Sequence, residues 1–167
     1  NGLDSRRIEG AAAPWRQDPD ALARWRESNL GDAGPVMIYI GRIQPENRLD
    51  LAIEGLAALR PSHPGARLVI IGAGAPEGDL RRLAAERGVS EQVIWVGERY
   101  DEAEIAPWML SADVLVYPSN AGLSLIHGFN YGLPAIACAP RAAHNPEIWA
   151  LDDGRNGRIA ERADGTA

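Results

Sequence analysis

The sequence contains no lysine: all 17 basic side chains are arginine, against 23 aspartates and glutamates, for a net charge of -6 at pH 7. A chain short of positive charge excludes non-specific nucleic-acid binding and a polybasic membrane patch, so any phosphate site must be local. Cysteine occurs once, as Cys138, which rules out an internal disulfide and a multi-cysteine metal centre and fits a reducing, cytoplasmic compartment. The apolar runs, such as 36–40 and 68–71, fall far below the roughly 20 residues needed to cross a bilayer, so no transmembrane segment is expected. A secretory signal is lacking too, because the chain opens on polar Asn1-Gly2-Leu3-Asp4-Ser5-Arg6-Arg7. Without an initiator methionine it reads as a piece of a longer polypeptide.

What is present is an ordinary globular composition, 46% hydrophobic and 24% charged over 167 residues, enough for one domain with a real core. Short apolar runs at 36–40, 67–71, 92–96, 113–117 and 135–138 alternate with helical patterns at 49–60, 78–87, 102–111 and 122–131. Near-continuous hydrophobicity in each run implies strands buried on both faces. The expected fold class is therefore α/β: a Rossmann-like, doubly wound parallel sheet with helices on both faces. Residues 1–34 read as a lead-in segment with one short packing helix at 20–28, capped by Asp18-Pro19, and 35–167 as the Rossmann-like domain. Asn145-Pro146-Glu147 is a second helix-start signature, Asp152-Asp153-Gly154 a polar turn, and 160–167 a tail without an obvious core.

A doubly wound sheet binds ligands outside the carboxyl ends of the strands that begin its two halves. Those strands are 36–40 and 113–117, so the loops 41–48 and 118–124 carry the candidate site. Gly122 at a helix start lets the backbone near Leu123 and Ser124 approach an anion; relief of a tight turn is the competing reading. Gly41 precedes Arg42, and Arg42 and Arg48 are placed to pair bidentately with a diphosphate, or else are solvated side chains. On the helix 122–131, Leu125, Ile126 and Phe129 form the core face, whereas Ser124, His127, Gly128 and Tyr131 face water or the cleft. His127 is then a hydrogen-bonding group for ligand hydroxyls or a structural residue. Gly72-Ala73-Gly74 begins like a dinucleotide fingerprint but has Glu77 where the third glycine belongs, and reads as a turn. Glu147 has a helix-capping reading. His63, His144 and Cys138 do not cluster as metal ligands, and no metal is expected.

In order along the chain, Asn1-Gly2-Leu3-Asp4, Tyr39-Ile40-Gly41-Arg42-Ile43, Ile70-Ile71-Gly72-Ala73-Gly74, Val96-Gly97, Ala112-Asp113-Val114 with Tyr117-Pro118-Ser119, Gly132-Leu133-Pro134 and Pro146-Glu147-Ile148 resemble the motifs of the group 1 retaining glycosyltransferases. The resemblance implies one half of a GT-B architecture, the C-terminal domain that binds a nucleotide-sugar donor. It assigns the diphosphate to Arg42 and to a lysine whose place is taken by Asn47, with Arg48 as the replacement. The family's two motif glutamates fall on Ser119 and His127, although Pro118-Ser119-Asn120-Ala121-Gly122-Leu123-Ser124 with His127 is similar to a subgroup carrying Pro-Gly-Asn-Val-Gly-Leu-Thr and a histidine. The implied reaction is sugar transfer from a nucleoside diphosphate sugar with retention, without a resident cofactor or metal. It needs an N-terminal acceptor-binding domain as partner, without which this chain should transfer nothing at a useful rate. Donor-site residues would be Gly41, Arg42, Arg48, Ser119, Asn120, Gly122, Leu123, Ser124, His127 and Glu147, with Arg42 and Arg48 catalytic. The alternatives are a degenerate binding or structural module and a dinucleotide-binding oxidoreductase domain.

Overall fold

Residues 4–32, 34–138 and 140–161 are described by the computed structural model; the Asn1-Gly2-Leu3 part of the first motif and the tail 162–167 lie outside them. Six strands run β1 (Val36–Ile40), β2 (Arg67–Ile71), β3 (Val93–Gly97), β4 (Val114–Tyr117), β5 (Ala135–Cys138) and β6 (Gly157–Ala160). All pair in parallel, in the order β3-β2-β1-β4-β5-β6. β1 is buried along its whole length and β2 along four of five residues, as their unbroken apolar character requires.

The helices are α1 (Ser5–Gln17), α2 (Pro19–Leu30), α3 (Leu49–Leu59), α4 (Glu77–Glu86), α5 (Glu102–Ser111) and α6 (Leu123–Tyr131). Crossovers from β1 to β3 step one way and those from β3 to β5 the other, so right-handedness puts α3 and α4 on one face and α5 and α6 on the opposite one. α1 packs on α5 and α6, and α2 on α5. The sheet is thus covered on both faces, and strand order reverses between β1 and β4, where Met37 pairs with Val114.

Three sequence expectations change. The lead-in holds two helices rather than one, since Asp4 caps α1 and Asp18 both ends α1 and caps α2 through Ala21 N–H. α1 escapes an apolar-period reading because it buries only Ile8 and Ala12 and contains Pro14. The second difference is β6, which falls between the expected turn at 152–154 and the tail that starts at 160; it is an edge strand whose sole large apolar residue is Ile159, held by Asp153 Oδ1 accepting from Ile159 N–H. Third, Pro146 opens a short 3-10 turn, Pro146–Ala150, rather than an α-helix.

Candidate functional site at the strand-order reversal

β1 and β4 deliver their loops to the same place. A Cβ on Gly41 (φ 151°) would stand 2.6 Å from the Tyr117 hydroxyl and 3.5 Å from Ser124 Oγ, so the arginine loop lies against the first turn of α6 with room only for glycine. Beneath it, Tyr39 and Tyr117 stack with ring centroids 4.8 Å apart. The Tyr39 hydroxyl donates to the Arg42 carbonyl at 2.8 Å, which fixes the backbone that carries the arginine. Burial, and then Tyr117, push the Tyr39 phenol far above its ordinary pKa, so it stays a donor.

Arg42 is exposed, and its guanidinium has no hydrogen bond or ion pair among the described residues. On the other side of the Gly41 loop, α6 starts with Gly122 as its N-cap, and Leu125 N–H is the first amide to bond back to the Gly122 carbonyl. The amides of Gly122, Leu123 and Ser124 are therefore the unsatisfied donors of a helix N-terminus. A cleft of about 220 Å³ continues from Arg42 along the ends of β1, β2 and β3, lined by Gly41, Gly72, Ala73, Glu98, Arg99 and Tyr100 among others. Its floor is close-packed backbone: Ile43 N–H donates to the Ala73 carbonyl, and a Cβ on Gly74 would overlap the Ile43 carbonyl at 1.8 Å. The two glycines of the incomplete fingerprint serve this backbone contact, in keeping with the turn reading.

The rest of the 118–124 loop is held by the segment after β5. Asn120, at φ 54°, donates its N–H to the Ala143 carbonyl, and Ser119 Oγ donates to the same carbonyl. Asn145 N–H donates to the Ala121 carbonyl and Asn145 Nδ2 to the Asn120 carbonyl and Oδ1. His144 Nδ1 accepts from Ala121 N–H. The sequence presents His144 only as a possible metal ligand and Asn145 only as part of a helix start; their contacts with the loop span more than 20 positions and leave no local pattern. Glu147 follows this segment, half-buried, and caps nothing: its carboxylate has no hydrogen bond among the described residues.

Arg48 stands at φ 53° at the start of α3, and its guanidinium grips Asp50 in a fork, Nε to Oδ1 at 2.9 Å and Nη2 to Oδ2 at 2.7 Å. Burial pushes the Asp50 carboxyl up, but the bonds from Arg48 outweigh it and hold the group below its usual range. Asn47, at the lysine position, is buried, with its Oδ1 accepting from Gln44 N–H.

The two faces read for α6 are corrected. His127, Gly128 and Tyr131 are buried, while Ile126 and Phe129 are only half-buried, because the polar face meets α5 and α1 rather than water. His127 Nε2 lies 2.7 Å from Glu102 Oε1, and the Tyr131 hydroxyl donates to the same oxygen at 2.6 Å. Burial raises the Glu102 pKa, but these two hydrogen bonds bring it below the usual carboxylate value. Among the described residues no three His, Cys, Asp or Glu side chains gather as metal ligands, and no helix is long and apolar enough to cross a membrane.

The profile of the family described as glycosyl transferases group 1 matches residues 34–167. The chain is 30% identical over 158 residues to a GDP-mannose-dependent alpha-(1-6)-phosphatidylinositol monomannoside mannosyltransferase of Mycolicibacterium smegmatis, covering 88% of this chain and 40% of that protein. It is 38% identical over 118 residues to a D-inositol 3-phosphate glycosyltransferase of Jonesia denitrificans, covering 65% of this chain and 28% of that protein. Thus it spans less than half the length of these relatives. Among solved structures it superposes on Anabaena HepE in complex with UDP-glucose with a TM-score of 0.77 at 18% identity, covering 98% of this chain and 43% of that one. The C-terminal domain of a group 1 glycosyl transferase, LpcC of Francisella tularensis, matches with a TM-score of 0.67 at 22% identity, covering 97% of this chain and 81% of that one. By profile and fold, the chain belongs to the group 1 glycosyl transferases and corresponds to their C-terminal, Rossmann-like domain.

Proposed function

We propose that this domain holds the nucleoside diphosphate sugar of a retaining glycosyltransferase, with the diphosphate between Arg42 and the first turn of α6. What carries this reading is that the loop bearing Arg42, whose guanidinium has no partner among the described residues, lies against the first turn of α6, whose first amides have none among them either. When the sugar leaves, negative charge grows on the diphosphate, and preorganised donors aimed at that charge lower the barrier. Arg42 supplies a charged fork and α6 its amides and dipole. Arg48 is the second cation, reaching the diphosphate at the expense of its fork to Asp50. The base and ribose occupy the cleft beside Gly72 and Glu98 to Tyr100. His127 takes no part in this arrangement, because it is buried on the face of α6 that meets α5, with Nε2 2.7 Å from Glu102 Oε1.

Support also comes from the names of relatives and neighbours, which include a GDP-mannose-dependent enzyme and a UDP-glucose complex. The acceptor site lies on a second domain of the whole enzyme, and the sugar is transferred with retention at its anomeric carbon. Calorimetric titration of the chain with UDP, GDP and ADP tests the reading. One of them is expected to bind saturably, and Arg42→Ala to weaken it about tenfold or more, as a charge-assisted hydrogen bond to phosphate is worth about 1.5–3 kcal/mol. Absence of saturable binding by any of the three would remove the donor-site assignment in favour of a non-catalytic module.

A further inference from the structure

The anion-binding turn is not rigid by itself. Gly122 has no side chain, Asn120 sits at φ 54°, and neither supplies a cap to α6. Its orientation comes from outside: Asn145 N–H holds the Ala121 carbonyl, and an imidazole holds the Ala121 amide. His144 Nδ1 lies 3.1 Å from Ala121 N, the amide directly before Gly122, and His144 Nε2 lies 2.7 Å from the Cys138 carbonyl at the end of β5.

These two partners determine the ring's state. A backbone N–H only donates, so Nδ1 must present its lone pair; a carbonyl only accepts, so Nε2 must carry the proton. The ring is therefore neutral and in a single tautomer, spanning from the strand end to the phosphate turn. An imidazolium, a donor at both nitrogens, cannot make the Ala121 bond.

Resting on the donor-site reading above, we propose that His144 is a positioning residue: its neutral Nε2–H tautomer holds the Ala121 amide so that Gly122, Leu123 and Ser124 aim their N–H groups at the diphosphate. His144 does not touch the donor itself. It acts by holding the Ala121 amide away from the donor and by tying the turn to β5.

The test uses the 167-residue chain with UDP and GDP as diphosphate probes and uridine and guanosine as probes lacking phosphate. His144→Leu keeps bulk and removes the acceptor; His144→Asn returns an acceptor, Oδ1, near the place of Nδ1. The Leu variant is expected to weaken the diphosphate about tenfold or more, the loss of an aligned hydrogen bond being of order 1–3 kcal/mol, and to leave nucleoside binding unchanged. Asn is expected to recover most of that loss. In the unaltered chain, nitrogen-15 NMR should show His144 protonated at Nε2 only, a readout that holds even if the Leu variant fails to fold. Equal weakening of nucleoside and diphosphate, an unchanged Leu variant, or a ring protonated at Nδ1 would each overturn the proposal. If the unaltered chain binds none of the probes, the donor-site reading fails first, and that outcome is seen before any substitution is made.

Discussion

Arg42 and Arg48 are both fork-shaped cations within one loop, yet their surroundings separate them. Arg42 has nothing to give up, whereas Arg48 must release a bidentate carboxylate before it can take a phosphate. A half-exposed ion pair of this kind is worth roughly 1 kcal/mol, so the exchange is feasible but its net gain is small. Arg48→Ala is accordingly expected to weaken the nucleoside diphosphate only about threefold, well short of Arg42→Ala. Parallel titrations check this, and an unchanged constant would make Arg48 a residue of the α3 start alone. The absence of lysine thus has a local consequence: Asn47 is folded into the loop's own hydrogen bonding, and the positive charge at the crevice is all guanidinium.

At the scale of elements, α5 and α6 are joined by a buried carboxylate that accepts from both His127 and Tyr131. Glu102 has its folded pKa lowered. Its stabilising contribution is therefore complete above the unfolded carboxylate value of about 4.3 and is lost as pH falls through the lower folded value. Glu102→Gln is expected to cost about 1–3 kcal/mol at pH 7, with the gap in Tm to the unaltered chain narrowing below about pH 4. Thermal melts from pH 7 to 3 measure it; a gap independent of pH would mean that the charge on Glu102 contributes nothing.

The same elements show what the sequence could reveal. β1, β2 and β4 were legible because burial on both faces leaves unbroken apolar runs, β3 and β5 kept such runs although β3 is mostly half-buried and Ile136 of β5 is exposed, and the order of the strands placed the crevice before any contact was known. Arg42 and Gly122 followed from that topology. β6, an edge strand reading Gly-Arg-Ile-Ala, and α1, amphipathic over a single narrow stripe, leave little pattern to find. His144 and Asn145 are legible only in three dimensions, as is the turning of His127 toward α5, because each depends on which distant element comes to lie beside it.

For the whole molecule, the loops after β1 and β4 meet at the carboxyl edge of a six-stranded sheet, and the chain spans less than half the length of these relatives. In the proposed enzyme, the partner domain brings the acceptor to that side, while this domain supplies the donor and the charge that receives its leaving group. The two tasks divide between halves, so donor binding should survive in this chain alone. The position of the diphosphate tests this most directly, in a crystal structure of the chain with UDP or GDP bound. The account predicts phosphate oxygens about 2.7–3.2 Å from the Arg42 guanidinium and from the amides of Leu123 or Ser124. A nucleotide ordered with its phosphates elsewhere, such as over Gly72 to Gly74 at the start of α4, would contradict it.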